Sequence, residues 1–159
     1  MNLLLIIAIV LSISFHSIAA NVHDFSTDGC TLAPDGTFSK PTLWHECCVA
    51  HDLWYWGGGP KSLRMKTDDN LKSCIASKAG STVATLFLLG VRVGSVSPFK
   101  LKNKKWGNAW GSSQTDYFEL TAEQKNELLR QINLYPRYTN ITQYYKEYLA
   151  KGEANSLLQ

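Results

Sequence analysis

Apolar side chains recur at helical spacing in residues 61–78, and the preceding stretch, residues 44–56, has the length of a helix and Pro41 near its start. Three glycines and Pro60 separate the two stretches. In the second stretch, the side chains that recur at intervals of three or four residues are Leu63, Thr67, Leu71, Cys74 and Ile75. This period is that of an α-helix. The pattern therefore predicts two long helices joined by a short connection, and helices joined in this way are expected to pack antiparallel.

An uninterrupted apolar run begins near the N-terminus, at Leu3, and ends at Leu11. Small residues follow it, with Ala19 and Ala20 at the end. This arrangement is typical of a secretory signal peptide, which we predict over residues 1–20. An uncleaved membrane anchor is the alternative, but the run is short for a span of roughly 20 residues.

Two further stretches carry helical patterns. Residues 81–93 form an apolar helix or a buried run. The apolar patch from Val83 to Val91 is too short to cross a membrane, because it is broken by Gly90 and soon followed by Arg92. A break is expected directly after it. Residues 120–130 predict a helix capped by Thr121, with Gln124 in the capping-box position.

All four cysteines follow the predicted cleavage site, at Cys30, Cys47, Cys48 and Cys74. An even number of cysteines in an exported chain indicates two disulfides. Of the three possible connectivities, a bond between the neighbours Cys47 and Cys48 is disfavoured, because adjacent side chains on a helix point away from each other. Zinc is the competing use, but no C-x-x-C pair is present. After cleavage, roughly 140 residues remain, which predicts one mainly α-helical domain over residues 21–159.

Chemically reactive side chains lie on both predicted helices. His51 and Asp52 follow the two adjacent cysteines by about one helical turn. A bond between Cys47 and Cys74 would bring Asp68 of the second helix towards His51. Taken alone, Asp68 is most simply part of a solvated face.

The segment 28–37 is dense in glycine, proline and aspartate, which predicts a loop. Such a loop, attached through Cys30, could offer its backbone carbonyls to a hard cation. The simpler interpretation of the same residues is a surface turn.

The order Cys-Cys-x-x-His-Asp-x-x-Tyr at 47–55, with an upstream Gly-Cys loop and a downstream Asp followed six residues later by Cys, resembles the secreted phospholipase A2 family. The Asp-Gly-Cys-Thr loop and a later Trp-Gly-x-x-Trp segment are most similar to its bacterial branch. Two cysteines of the family pattern are replaced here by Trp54 and Thr67, so both halves of one family disulfide are absent together. The resemblance covers residues 28–75 closely and residues up to 111 less closely, and the tail from about residue 116 has no match.

The resemblance implies a fold in which two antiparallel, disulfide-linked helices are preceded by a calcium-binding loop. It implies that the bridges are Cys30–Cys48 and Cys47–Cys74. It makes His51 the general base that activates a water molecule, with Tyr55 and Asp68 orienting the far side of its ring. A neutral imidazole titrates near physiological pH, which suits this role.

The metal site implied by the resemblance uses Asp52 as a carboxylate ligand of Ca²⁺, together with the backbone carbonyls of Gly29, Thr31 and Ala33. Oxygen ligands of this kind are those that calcium prefers. Thr31 and Ala33 stand where the family has glycines, and the interval from Cys30 to the helix is about two residues longer than in the animal enzymes. These departures affect the path of the loop and the strength of calcium binding.

Basic residues dominate the middle of the chain. Between Asp69 and Asp116 there is no acidic residue. The basic residues in that interval are Lys72, Lys78, Arg92, Lys100, Lys102, Lys104 and Lys105. Trp106 and Trp110 follow, and lysines beside tryptophans suit an anionic membrane surface. The alternative is a soluble basic face with both tryptophans buried.

Together these features predict a secreted or periplasmic, calcium-dependent phospholipase A2 that hydrolyses the sn-2 ester of glycerophospholipids at a membrane surface. The alternative is a non-catalytic phospholipase-like module that binds membranes or a partner, and a purely structural exported protein is a third possibility. Nucleic-acid binding is a poor fit, because the net charge is only +3 and the chain carries an export signal. No obligate protein partner is evident.

Overall fold

The structure is a computed structural model that describes residues 22–96, 106–111, 117–135, 145–147 and 149–150. The predicted signal peptide, the lysines at 100–105 and much of the tail lie outside the described residues. The main elements are helices α1 (His45–Gly57), α2 (Lys61–Val96) and α3 (Ala122–Ile132), with a 3₁₀ turn at Asn108–Trp110. The mainly α-helical class predicted from the sequence is confirmed.

Helix α1 and the first part of α2 pack antiparallel, as the short connection between them predicts. As the position on α1 advances, its partner on α2 moves backwards. The pairs that show this are Cys47–Cys74, His51–Asp68 and Tyr55–Arg64. The helix pair therefore places the chemically reactive residues of both predicted helices in one interface.

Both disulfides implied by the family resemblance are present. Cys30 is bonded to Cys48, and Cys47 is bonded to Cys74. The two adjacent cysteines of α1 thus attach different parts of the chain, the upstream loop and helix α2. Each bridge contributes roughly 3 kcal/mol by restricting the unfolded chain. Two disulfides are typical of proteins that fold in an oxidising, extracytoplasmic compartment.

Apolar packing occupies the positions of the missing family disulfide. Trp54 is 5% exposed and Thr67 is 2% exposed. The ring of Trp54 lies 4.5 Å, centroid to centroid, from the ring of Tyr145 in the tail. The Thr67 hydroxyl donates a hydrogen bond to the carbonyl of Leu63. The helix pair is held here by side-chain burial and not by a covalent bond.

Helix α2 consists of two helical segments that meet at a break, Gly80. The end that the sequence predicts near Lys78 agrees with this break, whereas the segment after it continues to Val96, beyond the break expected after residue 93. Gly80 alone has a non-helical backbone, with φ 82° and ψ 168°, values that essentially only glycine adopts. We call residues 61–79 the first arm and residues 81–96 the second arm.

The second arm folds back along the first. Arg92 Nη2 lies 2.9 Å from Asp69 Oδ1, and the ring of Phe87 lies 6.0 Å from that of Trp44. Ala84 is fully buried in the cluster that surrounds the two disulfides. The stretch 81–93 is therefore a helix, as one of the two predictions has it, and its inner face covers the disulfide end of the molecule.

By length and composition, one described helix, at Lys61–Gly94, is able to cross a membrane. The sequence alone predicts that the apolar patch within it is too short. The fold-back at Gly80 supports the sequence prediction, because it divides the helix into two shorter arms. The second arm, at 1.5 Å per residue, is about 24 Å long, which is less than the roughly 30 Å of a hydrocarbon core.

The glycine corner between α1 and α2 holds two tryptophans from later in the chain. Trp110 donates its indole N–H to the carbonyl of Gly57 at 2.8 Å, and Trp106 donates to Gly59 at 2.7 Å. Trp110 is 9% exposed, so for this residue the membrane-surface interpretation is wrong and the buried one is correct. Trp106 is half-buried.

Helix α3 begins as its sequence predicts. Thr121 Oγ1 accepts a hydrogen bond from the backbone N–H of Gln124, whose side chain accepts one from the Thr121 N–H. This capping box is confirmed. Leu128 and Ile132 then bury themselves in the same cluster as Trp54 and Tyr145, so part of the tail packs on α1.

We expect Gly80→Ala to lower the free energy of unfolding by about 1–3 kcal/mol, because a Cβ is strained at this backbone conformation. The matched control is Gly90→Ala, which lies within a helix with open space around its Cβ and should gain up to about 1 kcal/mol. Denaturant unfolding of the oxidised protein, followed by tryptophan fluorescence, measures both. Equal midpoints for the two variants would contradict the break at Gly80.

Candidate active site

Helix α1 presents His51 and Tyr55 on one face. The two residues are four apart, so their side chains lie one above the other along the helix. Their ring centroids are 4.4 Å apart, and His51 is 8% exposed. The imidazole is therefore buried except for a small part of its surface, which remains open to solvent.

Asp68 of the first arm meets both of these side chains. Its Oδ1 lies 3.0 Å from His51 Nε2 and accepts a hydrogen bond from the Tyr55 hydroxyl at 3.1 Å. The carboxylate is fully buried, at 0% exposure. Because Nε2 of His51 faces Asp68, Nδ1 is the ring nitrogen that can take up a proton. The structure thus brings together the three residues that the sequence assigns to catalysis.

Tyr55 remains a hydrogen-bond donor in this site. Burial raises the pKa of its hydroxyl, and the neighbouring Asp68 carboxylate raises it further, against an opposing hydrogen bond from Arg64. The phenol is therefore protonated at physiological pH. Arg64 Nε donates to the Tyr55 oxygen at 3.0 Å, which leaves the Tyr55 proton directed at Asp68.

Two arginines compensate the charge of Asp68. Oδ2 of Asp68 lies 3.6 Å from Arg92 Nε and 3.8 Å from Arg64 Nη2, distances of ion pairs and not of hydrogen bonds. A buried carboxylate without such partners is costly. Sequence reasoning missed both residues. The contact of Arg64 with Asp68 could have been predicted, since Arg64 precedes Asp68 by one helical turn. Arg92 lies near Asp68 only because the helix turns back at Gly80.

The loop before α1 is organised around Asp35. Its Oδ1 accepts a hydrogen bond from the Cys30 N–H at 2.8 Å and lies 3.3 Å from His45 Nδ1. Gly29 packs so closely here that a Cβ would lie 2.4 Å from the same carboxylate oxygen, and its φ is +78°. His45 therefore helps to fix the loop.

The Asp52 side chain faces this loop, and it does not face Asp68, the partner of His51. Its Oδ2 accepts a hydrogen bond from the Thr27 hydroxyl at 2.7 Å, and that hydroxyl accepts one from the Gly29 N–H at 3.1 Å. Asp52 is thus connected through Thr27 to the backbone of the segment that the sequence assigns to metal binding. Thr27 was not found from the sequence.

Asp52 and the loop carbonyls offer oxygen atoms of the kind that a hard cation takes as ligands. Across the described ranges, no three side chains of His, Cys, Asp or Glu converge on one point. A cation here would therefore draw on backbone carbonyls as well as on Asp52. Within the same part of the chain, no N–H donates to the carbonyls of Gly29, Thr31 or Ala33. Carbonyl and carboxylate oxygens of this kind fit calcium.

A cleft of about 280 Å³ lies between α1 and the first arm. His51 contributes to its wall, together with Trp54, Thr67, Asn70, Leu71 and Ser73. Trp54 and Thr67 stand where the family that the sequence resembles has a further disulfide, and both line this cleft. A small apolar group in the cleft can approach the imidazole.

Comparisons of the chain with protein-family models, with curated proteins and with solved structures find no match.

We expect Asp68→Asn to lower the free energy of unfolding by about 3–5 kcal/mol, because it removes the buried charge that faces Arg64 and Arg92. Asp69→Asn is the matched control: Asp69 is 60% exposed and pairs only with Arg92 among the salt bridges of the described residues, so its loss should cost about 1 kcal/mol or less. Urea unfolding midpoints measure both. Equal losses would show that Asp68 is not the buried centre of this network.

Proposed function

We propose that this chain is an exported, calcium-dependent phospholipase A2 that hydrolyses the sn-2 ester of glycerophospholipids. The observation that carries the proposal is the pairing of His51 with the buried Asp68, beside an Asp52 carboxylate that reaches the glycine-containing loop. The residue pattern at 47–55 supports the same assignment.

In the proposed reaction, Nδ1 of His51 takes a proton from a water molecule, which attacks the ester carbonyl. The imidazolium that forms donates from Nε2 to Asp68, and this contact stabilises the new positive charge. Tyr55 holds the same carboxylate oxygen through its own hydroxyl, so the orientation of Asp68 is fixed from two sides. The proton then passes from His51 to the leaving alcohol.

Asp52 and the carbonyls of Gly29, Thr31 and Ala33 are the groups that would hold calcium. When bound there, calcium would polarise the ester carbonyl and stabilise the negative charge that develops on its oxygen. Asp35 and His45 support the reaction indirectly, because they fix the path of the loop on which the carbonyls lie.

Export is part of the proposal. The signal-peptide pattern at residues 1–20 and the two disulfides support a secreted or periplasmic location. Outside the cytosol, weak calcium sites with dissociation constants of roughly 0.1–1 mM are sufficient. The substrate in that location would be the phospholipid of a membrane surface.

A non-catalytic, phospholipase-like module is the second candidate, and one observation favours it. The loop is already closed by its own contacts, since Asp35 binds the Cys30 N–H and the Ala33 N–H donates to the carbonyl of Cys30. Leu32 takes a left-handed φ of 59° within the loop. A loop that is held by its own hydrogen bonds can serve as a binding surface alone.

We expect His51→Gln to lower the rate of fatty-acid release by at least about 100-fold, because it removes the general base. The substrate is sn-2-labelled phospholipid in vesicles, assayed with calcium and again with chelator. His23→Gln is the matched control, since the His23 side chain is exposed and the residue contacts the site through no described hydrogen bond. Release that survives in His51→Gln, or that is insensitive to chelator, would reject the proposed mechanism.

We expect Asp52→Asn to weaken calcium binding by at least about tenfold, because affinity depends on the charge of the ligands. Calorimetric titration with CaCl₂ measures this without reference to turnover. Asp24→Asn removes the same charge at an exposed position nearby and should leave the titration unchanged. If the wild-type protein shows no heat of calcium binding, the non-catalytic module becomes the better assignment.

A further inference from the structure

Residues 83–91 of the second arm are apolar except for Thr85, yet only one side of the arm is covered. Ala84, Phe87 and Val91 face the cluster around the disulfides. A helix that is apolar all round is normally buried in protein or in lipid. Half of this helix therefore lacks the environment that its sequence requires.

The uncovered face is continuous and uncharged. Leu86, Leu89 and Val93 recur at helical spacing and are 65%, 56% and 67% exposed. Gly90 and Gly94 lie among them, and a Cβ at either would meet nothing within 4 Å. The one charged side chain of the arm, Arg92, instead reaches Asp68 and Asp69. Exposed apolar patches of this kind mark interaction sites.

The sequence on either side of this face is basic and contains no acid. Asp and Glu are absent from residues 70–115. Four lysines, Lys100, Lys102, Lys104 and Lys105, begin four residues after the arm ends. At no more than about 3.6 Å per residue, the chain keeps them within roughly 30 Å of that end. The charge around the apolar face therefore complements an anionic surface.

We propose that Leu86, Leu89 and Val93 of the second arm dock the protein onto anionic phospholipid bilayers. The arm lies in the plane of the membrane, with its outer face among the acyl chains. The lysines that follow it in the sequence add electrostatic attraction to an anionic surface. This is a different surface from the tryptophans at the glycine corner. The role of the docking surface rests on the proposed function, since docking would bring the enzyme to its substrate. The test of docking does not depend on that function.

A second copy of the chain is a poorer occupant for the same face. A symmetric pair of arms would bring two identical basic segments together, with no acidic residue between positions 70 and 115 to pair with them. The face is also limited to a helix of about 24 Å. An anionic bilayer has neither restriction.

Flotation with vesicles tests the proposal in the exported, oxidised protein carrying His51→Gln, with chelator present so that neither turnover nor calcium contributes. The vesicles are phosphatidylcholine alone and an equimolar mixture of phosphatidylcholine and phosphatidylglycerol. The test variant is Leu86→Gln with Leu89→Gln. The matched control is Phe38→Gln with Leu134→Gln, which makes two similar changes at residues that are 106% and 61% exposed.

We expect binding to the anionic vesicles to exceed binding to the neutral ones, and the test variant to lose at least about tenfold of it while the control keeps it. Equal loss in both variants, or no preference for anionic vesicles, overturns the proposal. The proposal is also overturned if sedimentation shows a dimer and the test variant abolishes that dimer. Circular dichroism confirms that each variant is folded. The flotation test uses a variant without turnover, so it measures docking separately from catalysis. If docking is observed but the wild-type protein releases no fatty acid, the proposed enzyme activity is rejected and the docking surface stays assigned.

Discussion

A carboxylate with no exposure to water needs charged and hydrogen-bonding partners, and Asp68 draws these partners from every long helical segment of the site. His51 and Tyr55 approach from α1, Arg64 from the first arm and Arg92 from the second. Satisfying one buried charge thus fixes how three helical segments lie against one another. The orientation of the His51 ring, on which the proposed chemistry depends, follows from the same requirement.

The second arm links this charge network to the surface of the molecule. Its inner side carries Arg92 to Asp68, and its outer side exposes Leu86 and Leu89. A single residue, Gly80, makes both contacts possible by turning the helix back. The buried network and the proposed docking face are consequently parts of one rigid element. A displacement of the arm would therefore also displace Arg92 from the Asp68 carboxylate.

Much of the helix pair could be predicted from sequence, because its determinants are local. Periodicity predicted the first arm, and the length of residues 44–56 and the nearby Pro41 predicted α1. A bond between Cys47 and Cys74 was expected to bring Asp68 towards His51. The course of the second arm could not be predicted, since it depends on the backbone angles of Gly80 within an otherwise continuous helical pattern. The contact between Asp35 and His45 was missed for a similar reason, because it depends on the path of a loop with no repeat. The burial of Trp110 depends on contacts with a distant glycine.

The two ends of the helix pair are held by different kinds of bond. At the Cys47 end, two covalent bridges attach the loop and α2, whereas the Gly57 end is held by indole hydrogen bonds from Trp106 and Trp110. Thiol reagents therefore act on one end only. Under reducing conditions the loop beside Asp52 and the Cys74 turn of α2 lose their covalent attachment, while the tryptophan end keeps all of its contacts. Redox state, rather than temperature, would determine which half of the molecule loosens first.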